Sequence, residues 1–187
     1  LAAAALSVAA CEQQAATPQQ ASAVPAADTA SATPSDAPSA PPAAAPQTLT
    51  SSDNAVSISV TGNFQDQLGG NALPEGAEAG TILQQYDENT DITLTVVDAG
   101  KPVKPAKEYY ANLKTALEQA GFASLKAGAA TENRMDYSFT DAEGNNHNCI
   151  NIYSPDNLYA VCAFSSSADN ATLAETLKDV KLLKKAM

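Results

Sequence analysis

The sequence predicts an α+β domain: one twisted antiparallel sheet of about six strands with two helices packed on it, preceded by a disordered tether. Three observations carry this. Short stretches of alternating apolar and polar residues recur and are joined by turn residues, as half-buried strands require. Two stretches switch to a helical period. The N-terminal part is rich in alanine and proline and has no aromatic residue, so it cannot build a core.

Taken in order, the chain opens with an apolar run, Leu1–Ala10, that ends in small residues. Such a run is expected of an export signal. It has no basic residues and no methionine before it, which predicts that residues 1–10 are the remnant of a signal peptide. Val8-Ala9-Ala10-Cys11 resembles a bacterial lipobox, which implies a lipidated Cys11 as the first residue of the mature protein. Glu12 in place of Asp leans toward the outer membrane in a Gram-negative source. More than one acyl chain on Cys11 would make the anchor effectively permanent, because each buried CH₂ contributes about 0.8 kcal/mol.

Residues 11–50 are expected to form the tether. Over 12–50 there are 13 Ala and 7 Pro, with Glu12, Asp28 and Asp36 as the only charges. Proline recurs too often for the alanines to hold a helix. As a flexible coil the segment would span roughly 35 Å, and as extended polyproline about 120 Å. All ten aromatic residues follow residue 50, so 51–187 is expected to be the globular domain, with 18 acidic against 10 basic residues.

Within it, Val56, Ile58 and Val60 alternate with polar residues. A glycine-rich loop follows, with Gly62, Gly69, Gly70, Pro74, Gly76 and Gly80. Strands are expected at Thr81–Tyr86 and around Ile92, Leu94 and Val96, joined by Asp87-Glu88-Asn89-Thr90. Tyr109, Leu113, Ala116, Leu117 and Ala120 form one stripe of a helix over 106–120, with Pro105 at its start and Gly121 at its stop. Further strands are expected at Phe122–Lys126, Met135–Phe139, His147–Tyr153 and Leu158–Phe164. Asp169 or Asn170 would cap a last helix carrying Leu173, Leu177 and Val180, whose end is basic through Lys178, Lys181, Lys184 and Lys185.

This succession of lipobox, low-complexity tether, strand–loop–hairpin, central helix, three strands and closing helix resembles the DcrB-like envelope lipoproteins. The resemblance covers roughly 55–185 in pattern. It implies the PsbP/Mog-like fold, an α/β/α sandwich around an antiparallel sheet, and a non-enzymatic envelope protein. The paired cysteines depart from that pattern.

Cys149 and Cys162 are the most informative pair. With Pro155-Asp156 as a two-residue hairpin loop, opposed residues sum to 311, so the two cysteines face each other. They fall at a non-hydrogen-bonded pair, where Cα atoms approach most closely. An oxidising, exported setting then predicts a structural disulfide. A loop of odd length would break this register. His147 shares a face with Cys149, as a thiol and its base would, but a partner thiol opposite Cys149 argues against catalysis. A zinc site of His147, Cys149 and Cys162 would need a fourth ligand and a reducing setting. Asp87-x-Asn89-x-Asp91 echoes a calcium loop, yet Ile92 stands where glycine is needed. Asn170-Ala171-Thr172 fits a glycosylation sequon, which bacterial export leaves idle. No nucleophile elbow, phosphate loop or zinc-helix motif occurs.

No catalytic residues, metal ligands or cofactors are therefore expected. The net charge of −11 argues against a nucleic-acid partner. The expected function is a lipid-anchored, non-catalytic envelope protein that touches the membrane only through its anchor. Its tethered domain would bind an envelope protein or a wall or membrane component. The alternative is a periplasmic small-ligand or enzyme-inhibitor module using loop 62–80. Tyr86, Tyr109, Tyr110, Tyr153 and Tyr159 are the aromatics to watch for such a surface, most of them expected in the core or at its rim.

Overall fold

A computed structural model describes residues 44–69, 73 and 77–183. All of them belong to one compact unit, Pro42–Met187. Cys11, the apolar run before it, Gly70, Pro74, Gly76, Lys184 and Lys185 lie outside the described residues, as does the tether up to residue 43.

The strands are β1 (Pro46–Thr50), β2 (Val56–Thr61), β3 (Gln65–Asp66), β4 (Thr81–Asp87), β5 (Ile92–Gly100), β6 (Ala123–Ala127), β7 (Arg134–Thr140), β8 (Asn146–Tyr153), β9 (Leu158–Ser165) and β10 (Val180–Leu182). The helices are α1 (Ala106–Gln119) and α2 (Asn170–Thr176). Every pairing is antiparallel. The strands divide into two sheets rather than one. A seven-stranded sheet runs β3-β4-β5-β9-β8-β7-β6, and a three-stranded sheet runs β1-β2-β10.

Alternation along the strands gives the large sheet two distinct faces. On the inner face, Leu83, Ile92, Leu94, Val96, Ile150, Ile152, Tyr159, Val161 and Ala163 join Val56, Ile58 and Val60 of β2 and Leu173 and Leu177 of α2 in the main core. The small sheet and α2 therefore share one layer. The opposite face carries α1 at its β6–β7–β8 end, where Tyr110, Leu117 and Met135 are buried among Tyr109, Leu113, Tyr137 and Tyr153. The result is a three-layer sandwich with the second helical layer completed by a small sheet.

The helix ends follow local chemistry. Asp169 caps α2, its Oδ1 accepting from the Thr172 N–H at 2.8 Å. Gly121 ends α1 at φ 70°, a conformation that costs a residue without a Cβ little.

Two boundaries differ from the sequence reading. Strand β1 lies inside the stretch taken as tether, so the folded domain begins before residue 46 rather than at 51. Each of its five residues pairs with β2, from Pro46 opposite Thr61 to Thr50 opposite Ser57. Only Leu49 packs on the core, and this weak signal is masked by the Ala/Pro composition around it. The second correction concerns Val180. It lies in β10 and pairs with Ile58, while the last helix stops at Thr176. Leu173, Leu177 and Val180 do all face the core, so their spacing imitates a helical stripe. Lys178 follows the helix and Lys181 sits in β10, so these two do not form a basic helix end.

Candidate functional site

The hairpin of β8 and β9 has the register its sequence implies. Ser154 N–H donates to Asn157 O at 2.9 Å, closing a two-residue turn at Pro155-Asp156. Cys149 faces Cys162 with Cα atoms 4.1 Å apart, and the two form a disulfide. Its sulfurs are thereby tied to each other.

The disulfide stands at the centre of the sheet face that α1 covers only at one end. Three transverse rows cross this face. Nearest the β8–β9 chain ends opposite the turn runs Phe139, His147, Phe164, Thr93 and Tyr86, each paired with the next. The middle row is Tyr137, Cys149, Cys162, Thr95 and Gln84. The third is Met135, Asn151, Ala160, Val97 and Thr81.

The first row is a stack of rings. Phe122 lies 4.1 Å from Phe139, Phe139 4.5 Å from His147, and His147 5.3 Å from Phe164 between centroids, all near parallel. His147 is held there by Asp141, whose Oδ2 is 2.9 Å from Nε2. That hydrogen bond, with two more from Asn145, holds the Asp141 carboxyl down at about 2. A carboxylate can only accept, so the bond places a proton on Nε2. Phe139 and Phe164 are half-buried and belong to neither core.

Beside Phe164 the face hollows into a groove of about 360 Å³, lined by Thr95, Val97 and Cys162 below, His147 and Phe164 at one end, and Gln84, Thr81 and Glu78 along the side. Gly80 makes this wall possible. It has φ 89°, and a Cβ there would meet Asp98 O at 2.5 Å. Its carbonyl accepts from the Asp98 N–H at 2.9 Å, drawing the chain close over β5. Thr81 Oγ1 then donates to Glu78 O at 2.6 Å.

Two grooves of about twice that volume are less suited to a ligand. One, about 770 Å³, lies between β1–β2 and α2 and has no aromatic side chain in its lining. The other, about 750 Å³, runs between α1 and residues 128–132, but Tyr110 and Met135 at its base are almost fully covered.

The remaining sequence candidates are structural. Asp87, Asn89 and Asp91 sit in and beside the β4–β5 turn and serve different partners. Asp87 accepts from the N–H groups of Asn89 and Asn63 at 3.0 and 3.2 Å. Asp91 Oδ2 accepts from the Ser166 and Ser167 hydroxyls at 2.6 and 3.1 Å, and these bonds lower its pKa. Among the tyrosines, Tyr110 and Tyr159 are buried, and Tyr109 donates to Asn151 Oδ1 at 2.9 Å beneath α1. Asn151 Nδ2 donates in turn to Tyr137 Oη at 3.0 Å. Burial pushes Tyr110, Tyr137 and Tyr159 up to about 12. Tyr86, half-buried, is the one of the five at the end of the ring row.

Phe139, Asp141, Gln84 and Thr95 were not singled out from sequence. The available signal was the polar alternation of Thr93 and Thr95 against Ile92, Leu94 and Val96, which marks a solvent-facing side of β5.

No family model matches the chain, and no curated protein matches it. Among solved structures, the solution structure of cyanobacterial PsbP (CyanoP) from Synechocystis sp. PCC 6803 aligns over 81% of this chain and 100% of that chain, with 11% sequence identity and a TM-score of 0.48. Among the described residues no helix is long and apolar enough to cross a membrane.

Proposed function

We propose that this chain is a non-catalytic, lipid-anchored envelope protein of the DcrB-like kind, held through Cys11. Its folded domain binds a partner of the envelope on the face of the large sheet that α1 leaves open. One observation supports this reading above others. Phe139 and Phe164 stand only half-buried in an ordered row with His147, outside both cores. Apolar surface left in water forfeits about 25 cal/mol per Å², and an ordered aromatic patch of this kind marks a contact surface. The groove beside it also supports the small-ligand alternative, since about 360 Å³ falls within the usual range of ligand sites.

The test places a photo-crosslinking residue at Thr93 and, in a second variant, at Lys126 on the far edge of the sheet. Irradiation of intact envelopes should give a discrete adduct from position 93 and none from 126. Adducts of equal yield from both would refute the assignment of the face. The anchor is tested separately. Cys11→Ala should move the protein from the membrane to the soluble fraction, and an unmodified Cys11 in the mature native protein would refute lipidation.

A further inference from the structure

We infer that the groove between Phe164, Gln84 and Glu78 takes an uncharged sugar ring. The inference rests on the reading that this face binds, and it names what is bound. The lining excludes two ligand classes by charge and polarity. Among the described residues no lysine or arginine lines the groove. Its β4 and β5 walls come from a part of the chain, residues 1–100, that holds no basic residue and 11 acidic ones. An anionic ligand would meet no lysine or arginine there and would be repelled by Glu78.

A purely apolar ligand fails for a different reason. The Gln84 carboxamide and the Thr95 hydroxyl have no hydrogen-bond partner among the described residues and are partly open to solvent. Water satisfies them in the free protein. An apolar body over them would strip that water and return nothing, costing about 1–3 kcal/mol for each stranded group.

What remains is a ligand with one apolar face and a hydroxyl-bearing edge. A pyranose has that shape. Its C–H face would pack against Phe164 and Val97, the apolar side chains that border the groove. Its hydroxyls both donate and accept, and the groove supplies both kinds of partner. Gln84 offers an amide donor and acceptor, Thr95 a hydroxyl, His147 its second ring nitrogen and Glu78 a carboxylate. Val97 and the disulfide-bonded Cys162 complete the floor beside Thr95.

The experiment is a ¹⁵N nuclear magnetic resonance titration of the folded chain with N,N′-diacetylchitobiose and, separately, cellobiose. At least one should shift the amides of Gln84, Thr95 and Phe164 at up to about 20 mM, an affinity in the millimolar class. Phe164→Ala should weaken binding about fivefold, the loss expected for one aromatic contact. Gln84→Ala supplies an independent variant should the ring deletion disturb the fold, and Thr172→Ala in the groove beside α2 should change nothing. No shift with either sugar, shifts confined to another surface, or binding abolished by raised salt would overturn the inference. If both sugars fail while the crosslink at position 93 still forms, the ligand class is wrong and the face stands. If both experiments fail, the functional reading falls with it.

Discussion

Reducing the Cys149–Cys162 disulfide should lower stability without changing the fold. The bond joins residues 13 apart in a hairpin that the ladder already defines. In the chain-entropy account, a loop of this size restricts the unfolded chain by about 3 kcal/mol. That figure is an upper bound, because residual hairpin structure in the unfolded chain would already hold the cysteines near each other. For a domain of this size it corresponds to a drop in melting temperature of about 10 °C. The assay compares thermal melts of the oxidised protein, the same protein in excess dithiol, and the Cys149→Ala/Cys162→Ala double variant. Reduction keeps both sulfurs in place and isolates the cross-link. The double variant also removes Cys149 from a site where it is 2% exposed, so it should melt slightly lower still. Far-ultraviolet circular dichroism should be unchanged in all three, since the Ser154–Asn157 turn fixes the register on its own. Free thiols at Cys149 and Cys162 in the unreduced, mature protein, or a melting temperature indifferent to dithiol, would refute the reasoning.

The remaining predictions concern the domain boundary and two titrations. A chain starting at Ser51 lacks β1 and loses the Gln47 side chain, whose Oε1 accepts from the Phe64 N–H at 2.9 Å; it should be at least about 1 kcal/mol less stable in urea than one starting at Ala44. Equal midpoints would return β1 to the tether. Because Tyr110, Tyr137 and Tyr159 are held near 12 in the fold, the stability they carry is complete below about pH 10 and is lost as pH rises toward 12. Tyrosinate absorbance should therefore rise in two stages, the later one together with unfolding. Asp141 has the opposite sign: its contribution is present above about pH 4 and is lost as pH falls to about 2. Asp141→Asn should destabilise the domain at neutral pH, and the gap from the unaltered protein should close in acid. A gap that stays constant from pH 7 to pH 2 would show that the His147–Asp141 contact does not discriminate the charged carboxyl.

How far the sequence reaches depends on whether an element's structure is set locally. The β8–β9 hairpin is legible because two turn residues fix every opposed pair, and from Pro155-Asp156 both the cysteine pairing and His147 opposite Phe164 follow. Helix α1 is legible because its apolar stripe and its punctuation by Pro105 and Gly121 agree. Strands β1, β3 and β10 are not. They have five, two and three residues, and each is held by a partner strand rather than by its own pattern. β2 shows why one sheet became two. Val56, Ser57 and Ile58 are all buried in succession, so β2 is covered on both sides and cannot be a half-exposed member of the large sheet. The groove is the least legible feature. Gln84, Thr95, His147 and Phe164 come from four strands, and only the sheet order β4-β5-β9-β8 brings them onto one face. Alternation alone says that each points away from the core. It does not say that α1, starting at Ala106 and packing over β7, stops short of them. That shortfall leaves a hollow of mixed polar and apolar lining beside a ring stack, with no lysine or arginine among its described lining residues.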